Sequence, residues 1–308
     1  MIWNKNDTQQ KTKLKYPFYI ISKGRADTGQ TRKSLTRMGV PYYIAVEPQD
    51  YEDYAKDIPE DQILVLPFSN HGDGPGRARN FCWDHAISIG AEKHWVADDN
   101  ISDFYRLNNN KRIRIESGAL FRSCEDFVDR FKNVPVSGIQ YRFFIAPDTK
   151  RPPYVKNTRI YSCLLIDNNC KHRWRGRYNE DTDLSLRVLK DGDCTIQFNH
   201  ILQGKSATQT MSGGNTEEFY HPEGDQDKDK WRDGTMNAEG TINKSQMLVD
   251  MHPDVCRVVW RYDRWHHHCN YDPFKKNELV YKDGLNKSSF IGTNNYGLKL
   301  VKLRSSPT

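Results

Sequence analysis

The chain has 308 residues, of which 28% are charged and 36% are hydrophobic, and its formal net charge is +6. This length suits one large α/β domain or a domain with an appendage. No apolar run approaches the roughly 18 residues that a bilayer-spanning helix needs. The modest basic excess is compatible with a polyanionic partner, but it is equally typical of an ordinary solvated surface.

Seven cysteines are scattered along the chain, and no Cys-x-x-Cys pair occurs. An odd and scattered set argues against a disulfide framework or a zinc site and predicts a reducing compartment, the cytoplasm. The first residues (MIWNKNDTQQKTKLK) are polar and lack an apolar core, so we expect no signal peptide. We expect residues 1–15 to form a disordered basic tail.

Strands alternate with helices in the first half of the chain, which is the pattern of a parallel α/β sheet. Predicted strands lie at 16–22, 42–46, 63–67 and 95–97, and the predicted helices between them end near Gly39 and Gly90. The second half adds predicted helices at 120–131, 180–190 and 245–251, and predicted strands at 136–145, 159–166 and 195–199. We therefore expect a single, mostly parallel central sheet flanked by helices.

Residues 222–243 are rich in Asp, Lys and Gly and almost free of aliphatic side chains. This composition predicts a mobile loop, either a tolerated surface insertion or a lid over an active site. The expected organisation is therefore a tail at 1–15, one domain at 16–274 that carries this loop, and a C-terminal extension at 275–308.

The predicted strand at 95–97 ends in Asp98, Asp99 and Asn100. In open α/β sheets, side chains at the carboxyl ends of strands lie where ligands bind. Oxygen donors packed this closely suit Mg²⁺ or Mn²⁺, and nucleotide-sugar transferases use such an ion to neutralise a leaving diphosphate. An Asp pair after a strand is also typical of a helix N-cap or a turn.

The segment Gly74-Pro75-Gly76-Arg77-Ala78-Arg79-Asn80 opens a predicted helix. Helix N-termini offer free N–H groups and the positive end of the helix dipole, which favours anions. Two arginines in the first turn are unfavourable for that dipole, so their presence suggests a ligand phosphate. Simple surface charge is the alternative explanation.

A second dense cluster, Trp174-Arg175-Gly176-Arg177-Tyr178-Asn179-Glu180-Asp181-Thr182-Asp183, also precedes a predicted helix. Three carboxylates at a helix N-terminus are favoured by capping and by the dipole alone. A carboxylate beside a bound substrate can also act as general base toward an acceptor hydroxyl.

The chain resembles the TET-associated glycosyltransferase family of phages over residues 16–274. The resemblance rests on long motifs in the same order, at 19–25, 40–42, 46–49, 64–70, 78–80, 95–100, 104–108, 158–163, 173–186, 211–216 and 252–255. It implies a GT-A-like fold, with a Rossmann-like nucleotide-sugar half and an acceptor half. It also implies transfer of a sugar to 5-hydroxymethylpyrimidine in DNA, a base made by a partner TET-like dioxygenase.

The resemblance also implies roles for individual residues. The donor would be a UDP-sugar, and the residues expected to bind it are Ser22, Arg25, Glu47, Arg79, Asn80 and Asp98. Asp181 is our expected catalytic base, with Glu180 beside it in the acidic motif of the acceptor side. We expect hydroxymethylcytosine as the acceptor, in the cytoplasm of the host cell.

A divalent metal, Mn²⁺ or Mg²⁺, is expected at Asp99, Asp98 and Asn100. The motif is Asp-Asp-Asn where GT-A enzymes carry Asp-x-Asp, so Asn100 would offer only a neutral oxygen. A late histidine often completes such a site, and we favour His267. His252, His266 and His268 are the alternatives.

Duplex DNA as acceptor requires contacts to phosphates and access to a flipped or groove-exposed base. The candidate DNA face is formed by Arg112, Arg114, Arg173, Trp174 and Arg175, although ordinary surface basicity would give the same pattern. Two other functions remain open: a GT-A glycosyltransferase with a non-DNA acceptor, and a non-catalytic protein that binds modified DNA.

Overall fold

The computed structural model describes residues 2–5, 13–109, 111–146, 151–205, 235–261, 264–285 and 298–301. The strands are β1 Ile2–Lys5, β2 Phe18–Ile21, β3 Tyr43–Val46, β4 Ile63–Val65, β5 Lys93–Asp98, β6 Ile101–Asn108, β7 Lys111–Ile115, β8 Val136–Tyr141, β9 Tyr154–Lys156, β10 Cys163–Asp167, β11 Thr195–Lys205, β12 Cys256–Arg261, β13 Arg264–Cys269 and β14 Leu298–Val301. The α-helices are α1 Gln30–Arg37, α2 Tyr51–Ala55, α3 Gly76–Ser88, α4 Ala119–Val128, α5 Glu180–Lys190 and α6 Thr235–Met251.

One large sheet organises the described part of the chain. Its strand order is β14-β1-β7-β6-β11-β8-β10-β5-β2-β3-β4, and β9 pairs with β11 outside this path. The run β5-β2-β3-β4 is entirely parallel, whereas β10 pairs antiparallel with both of its neighbours. Helices flank the sheet, so the α/β fold class expected from the sequence is confirmed.

The central strands divide their side chains between two cores. On β2 and β5, Phe18 and Trp95 lie in one hydrophobic cluster, whereas Tyr19 and Val96 lie in the other. Successive side chains of a strand point to opposite faces, and a sheet covered on both faces buries both sets. This explains why Phe18–Ile21 and the centre of β5, Trp95–Ala97, are continuous hydrophobic runs in the sequence.

Each core is completed by helices from its own side of the sheet. The first cluster contains Leu35 from α1 and Phe121 from α4. The second contains Trp83 from α3 and Leu184 from α5. Because α3 and α5 share one face, the N-terminal turns of these two helices can meet at the same edge of the sheet.

A β-hairpin forms a second, smaller sheet, in which β12 pairs with β13. It packs on α6, and its Cys256 and Cys269 join Leu248 and Leu189 in a third cluster. The Sγ atoms of Cys256 and Cys269 are 2.8 Å apart, and both residues are buried.

Several elements differ from the sequence predictions. β1 lies within the predicted tail, of which residues 1 and 6–12 are outside the described residues. The helix expected at 245–251 begins at Thr235, inside the predicted loop at 222–243, whose residues 222–234 are not described. The strand expected at 195–199 continues to Lys205, and the hairpin of β6 and β7 was not predicted. Of the predicted extension at 275–308, residues 286–297 and 302–308 lie outside the described part.

In the described residues, the structure contains no helix with both the length and the apolar character to cross a membrane.

Candidate functional site

The carboxyl ends of the parallel strands place several predicted site residues on one edge of the sheet. Ser22 follows β2, Glu47 follows β3, and Asp98 ends β5. The carboxyl edge of an open α/β sheet is the usual position of a ligand site. The strand pairing therefore brings these three expected donor-binding residues to one edge of the sheet.

Asp98 lies between two cationic side chains. Its Oδ1 accepts a hydrogen bond of 2.7 Å from Nη2 of Arg79, and its Oδ2 accepts one of 2.5 Å from Nζ of Lys205. Burial would raise the pKa of Asp98, but Lys205 and Arg79 outweigh burial and lower that pKa to about 2. Asp98 is therefore a permanent carboxylate that is already compensated by protein cations.

Lys205 reaches this position through an irregularity at the end of β11. The pairing of β11 with β6 shifts register between Gly204 and Lys205, and Lys205 then lies opposite Ile101. A bulge of this kind redirects the side chain that follows it, and bulges are common next to active sites. Because β6 begins just after Asp98, this placement brings the ammonium group of Lys205 to the Asp98 carboxylate.

Ser162 connects the members of the site. Its Oγ accepts a hydrogen bond of 2.6 Å from Lys205 Nζ and lies 2.6 Å from the hydroxyl of Tyr141. Its backbone N–H donates to Oδ2 of Asp181 at 3.1 Å, and its carbonyl accepts from the N–H of Asp98 at 2.9 Å. Ser162 is therefore bonded to both acidic parts of the site at once.

The backbone at Ser162 has a φ of +61°, which is uncommon for a residue other than glycine. The N–H of Cys163 donates to the carbonyl of Tyr161 at 2.7 Å, which closes a three-residue γ-turn around Ser162. Turns of this hand are rare, and such backbone strain is concentrated at functional sites.

The N-terminus of α5 supplies the second acidic part of the site. Glu180 and Asp181 are its first two residues, preceded by Asn179 in the left-handed conformation at φ +53°. Burial, together with the negative charge of Asp181, raises the pKa of Glu180 to about 7. Burial also raises the pKa of Asp181, although Arg79 opposes that rise.

Arg79 holds the two acidic parts together from inside the protein. Its side chain is 1% exposed; Nη1 lies 3.4 Å from Oδ1 of Asp181, and Nη2 lies 3.5 Å from Oε1 of Glu180. Its guanidinium packs over the ring of Trp174, 4.7 Å from the ring centroid. Arg79 is thus a shared counter-ion for Asp98, Glu180 and Asp181.

Asn80 fixes the loop that carries Trp174. Its side-chain amide donates to the carbonyl of Trp174 at 2.9 Å and accepts from the N–H of Trp174 at 3.0 Å. The same loop approaches α3 at Gly74, where a Cβ atom would lie 2.3 Å from the carbonyl oxygen of Arg177. Only glycine fits at that contact, and its φ of +83° also favours glycine.

Asp99 faces a different group of partners from Asp98. Its Oδ1 accepts from Nη1 of Arg25 at 2.7 Å, and its Oδ2 accepts from Oγ of Ser22 at 2.7 Å. Its backbone carbonyl accepts from the N–H groups of Gln30 and Thr31 at the start of α1. Asp99 therefore joins the ends of β2 and β5 to α1.

Glu47 holds the loops that follow β3 and β4. Its Oε2 accepts from the backbone N–H of Asn70 at 3.0 Å and from the side-chain amide of Gln49 at 2.5 Å, and Lys23 lies 3.3 Å from its Oε1. Burial would raise the pKa of Glu47, but the hydrogen bond from Asn70 and its other partners lower that pKa below its ordinary value.

The four predicted metal ligands are not brought together in a form that fits a divalent ion. Both oxygens of Asp98 accept from cations, and both oxygens of Asp99 accept from Arg25 and Ser22. Asn100 Oδ1 is buried and has no hydrogen-bond partner among the described residues. Among all the residues that the structure describes, no group of three or more His, Cys, Asp or Glu side chains is arranged to hold a metal ion.

His267 lies on β13, opposite Val258. Burial, together with the nearby charges of Arg159 and Lys244, lowers the pKa of His267 to about 4. His252 is engaged elsewhere, since its Nε2 lies 2.9 Å from Oδ1 of Asp183. Neither histidine shares a contact with Asp98 or Asn100 among the interactions of the described residues.

The predicted DNA-binding residues divide into two groups. Arg112 lies on β7, and its Nη1 donates to the carbonyl of Arg142 at 3.4 Å; Arg114, also on β7, pairs with Glu116 at 2.9 Å. The second group packs on helices, where Arg173 pairs with Asp84 and Arg175 pairs with Asp183.

Trp174 is a correction to the sequence analysis. It is 3% exposed and lies in the second core cluster beneath Arg79, so it offers no surface platform to DNA. A tryptophan between two arginines suggests an exposed aromatic in sequence, but its contact with Arg79 depends on the tertiary fold.

Lys205, Ser162 and Tyr141 are site residues that sequence reasoning missed. Ser162 lies within the motif at 158–163 on which the family resemblance rests, so a signal was present but pointed to no specific role. Lys205 and Tyr141 lie at the ends of β11 and β8, and their place in the site depends on how far those strands extend.

The buried carboxylate–cation cluster and the acidic N-terminus of α5 therefore meet at the carboxyl edge of the parallel strands, where α/β proteins bind ligands. A family model described as TET-Associated Glycosyltransferase matches residues 16–214. The chain belongs to this family and is a glycosyltransferase, as the sequence motifs predicted.

Among solved structures, the chain is similar to a protein from Desulfovibrio desulfuricans G20 that is provisionally described as a nucleotide-diphospho-sugar transferase. The two share 10% sequence identity, the match covers 60% of this chain and 80% of that one, and the TM-score is 0.35. A search of curated proteins finds no match to the chain.

Proposed function

We propose that this glycosyltransferase moves a sugar from a UDP-sugar to the hydroxymethyl group of a 5-hydroxymethylpyrimidine, hydroxymethylcytosine in our expectation, in phage DNA. A TET-like dioxygenase would supply that base in the host cytoplasm, and residues 16–274 would form the catalytic domain. The observation that carries the proposal is Asp181 Oδ1. This atom is buried beside the Asp98 cluster, 3.4 Å from its counter-ion Arg79 Nη1, and has no hydrogen-bond partner among the described residues.

Asp181 is suited to act as the general base. Its other oxygen is held by the N–H of Ser162, which fixes the carboxylate in orientation. In the proposed reaction Oδ1 takes the proton of the acceptor hydroxymethyl group as its oxygen bonds to the anomeric carbon of the sugar. The bond from that carbon to the diphosphate oxygen breaks, and its electron pair leaves with UDP. A base placed in this way contributes roughly 10²- to 10⁴-fold to the rate.

The departing diphosphate needs positive charge near it as its negative charge develops. Lys205 can supply this charge because its side chain is 19% exposed and can reach a bound diphosphate. The side chain of Arg79 is only 1% exposed. Lys205 would contact the diphosphate directly, and Arg79 would hold Asp98 and Asp181 in position from behind. Ser22, Arg25 and Glu47 would form the nucleotide part of the site, at the ends of β2 and β3.

Metal dependence, expected from the sequence, has no support in this arrangement, because the Asp98 and Asp99 carboxylates are engaged by protein donors. No step of the proposed reaction therefore depends on a metal ion.

The experiment is a transfer assay with purified protein. DNA that contains either cytosine or 5-hydroxymethylcytosine is incubated with a panel of UDP-sugars, with Mn²⁺ or with EDTA, and is then digested to nucleosides for mass spectrometry. A hexose-sized mass gain on the hydroxymethylated base alone is the expected result, and it should disappear in Asp181→Asn. Gain on neither DNA with any donor would overturn the proposal.

A further inference from the structure

Two phenylalanines project from the turn that follows β8. This turn is the 3₁₀ segment Arg142–Phe144, in which Phe143 is 88% exposed and Phe144 is 49% exposed. Single exposed apolar residues are common on protein surfaces, but adjacent large aromatic rings beside a candidate active site indicate an interaction surface.

A row of aromatic rings leads from this turn into the site. The ring centroids of Phe143 and Phe144 are 5.5 Å apart, and those of Phe144 and Tyr141 are 5.8 Å apart. Tyr141 then stacks on Tyr161, at 5.9 Å and an interplanar angle of 8°. The hydroxyl of Tyr141 lies 2.6 Å from Ser162 Oγ, so the row ends at the cluster that holds Asp181.

Cationic side chains surround the exposed end of the row. Arg142 packs over the ring of Tyr105 at 4.6 Å and donates to the Tyr105 hydroxyl at 2.9 Å. Arg112 donates to the carbonyl of Arg142. Within the part of the chain that the structure describes, neither arginine forms an ion pair with a carboxylate, unlike Arg114. Their positive charge is therefore available to a polyanion.

We propose that the turn Arg142–Phe144 is the element that engages duplex DNA and inserts into its base stack. This inference rests on the proposed function and adds the residues by which the acceptor base is reached. Phe143 would occupy the position of the flipped base, and Phe144 and Tyr141 would stack on that base as it enters toward Asp181. Arg112 and Arg142 would contact the backbone phosphates.

Three physical points support a duplex as the occupant. An enzyme that modifies a base must extrude it from the helix, and inserted apolar side chains assist by unstacking a base step. Aromatic rings stack on any base, so a row of rings guides a base without selecting its sequence. Arginines beside the rings match the phosphate charge on either side of the opened step.

The exposed pair of tryptophans on the β12–β13 hairpin provides a matched control. Trp260 is 50% exposed and contacts Trp265 with ring centroids 5.0 Å apart. It is an exposed aromatic in an aromatic pair, as Phe143 is, but its hairpin packs mainly on α6, whereas Phe143 directly follows β8 of the large sheet. Trp260→Ala should therefore leave DNA engagement unchanged.

The test compares Phe143→Ala with Trp260→Ala on duplex and on single-stranded oligonucleotides that each contain one 5-hydroxymethylcytosine. For Phe143→Ala we expect KM for the duplex to rise about 10- to 100-fold. The kcat on the single strand should stay within about threefold, because a single strand needs no unstacking. UDP affinity, measured by calorimetry, should be unchanged in both variants.

Fluorescence reports the same step without sugar transfer. A 2-aminopurine placed beside the hydroxymethylcytosine should brighten when the wild-type protein binds the duplex, and this signal should be lost in Phe143→Ala and kept in Trp260→Ala. Equal KM values and equal fluorescence in the two variants would overturn the inference. If the wild type transfers no sugar but still raises the 2-aminopurine fluorescence, and Phe143→Ala does not, the proposed function is wrong but the insertion of Phe143 is supported. If the wild type neither transfers sugar nor raises the 2-aminopurine fluorescence of the duplex, both the proposed function and the insertion of Phe143 are wrong.

The phosphate contacts have their own measurement. Arg112→Met and Arg142→Met should each reduce the slope of log Kd against log salt concentration by about 1. An unchanged slope in both variants would contradict their place in the interface.

Discussion

Lys205 donates a hydrogen bond to Asp98 across 107 positions of sequence. β11 and β5 are not neighbours in the sheet, since β8 and β10 lie between them. The contact forms because Lys205 pairs with Ile101, which begins the strand just after the Asp98 turn. A cation is thereby delivered to the acidic end of β5 from a strand that two other strands separate from it.

Replacement of Lys205 tests whether this cation stabilises the leaving group. Lys205→Met should lower kcat/KM about 10²- to 10³-fold, the usual effect of removing one preorganised donor to developing charge. The control is Lys56→Met, because Lys56 is an exposed lysine that also pairs with an aspartate, Asp53 at 2.6 Å. The measurement is the steady-state transfer assay. A Lys205 variant with wild-type kcat/KM would contradict the role.

Glu180 should make the stability of the protein depend on pH. Its folded-state pKa of about 7 is above the ordinary value of 4.5, so between those values the native chain keeps a proton that the unfolded chain has lost. Unfolding is then favoured as pH rises through this window, and the loss of stability is complete above pH 7. The shift corresponds to about 3 kcal/mol.

The variant Glu180→Gln removes this titration. Relative to the wild type, it should gain about 2 to 3 kcal/mol of unfolding free energy between pH 5 and pH 8.5. The measurement is urea unfolding at both values, with Glu60→Gln, at an exposed position on the 3₁₀ segment Glu60–Gln62, as the control. A variant that tracks the wild type at both pH values would show that Glu180 is not held in its protonated form.

Removal of divalent ions tests whether Asp98 and Asp99 bind a metal ion that the reaction needs. Because the Asp98 and Asp99 carboxylates already accept from Lys205, Arg79, Arg25 and Ser22, we expect EDTA to leave the transfer rate within about threefold. The measurement is initial rate in EDTA against Mn²⁺ and Mg²⁺. Rescue by metal of more than about 100-fold would mean that the carboxylates rearrange around an ion when donor binds.

Trp174 should be a stability residue. Trp174→Ala removes a buried ring and its contact with Arg79, so we expect a loss of about 3 to 5 kcal/mol in the free energy of unfolding. Trp260→Ala, at a half-exposed ring, should cost less than about 1 kcal/mol. Chemical denaturation of both variants gives the comparison. Equal losses would place Trp174 outside the core.

The first half of the fold could be predicted because its strands are buried on both faces. Phe18–Ile21 is a hydrophobic run, and Lys93–Asp98 has the hydrophobic centre Trp95–Ala97; helices with clear ends separate these segments along the chain. The hairpin of β6 and β7 lacked that signal. On β7, the buried Ile113 and Ile115 alternate with Arg112 and Arg114, which is the pattern of a half-buried strand, but the segment is only five residues long and its arginines were interpreted as a DNA-binding surface.

The acidic parts of the site could also be predicted, since Asp98 ends a recognisable strand and Glu180 opens a recognisable helix. The cations that complete the site could not. Arg79 suggested a surface phosphate contact in sequence, whereas it is buried as a counter-ion to three carboxylates. Burial of a charge depends on partners that arrive from distant segments, and no local pattern encodes them.

The register shift at Gly204 lies directly before Lys205. A change in the length of β11 therefore affects the position of Lys205 and the pairing of the rest of the strand differently. Insertion or deletion of a single residue between Thr195 and Gly204 moves Lys205 by one position in the register with β6, whereas pairs before the change, such as Thr195 with Val136, are kept. The ammonium group at position 205 would then point to the opposite face. Natural relatives that keep the fold but differ by one residue in this strand should therefore be proteins that have lost transfer, and the length of β11 can separate active members from inactive ones.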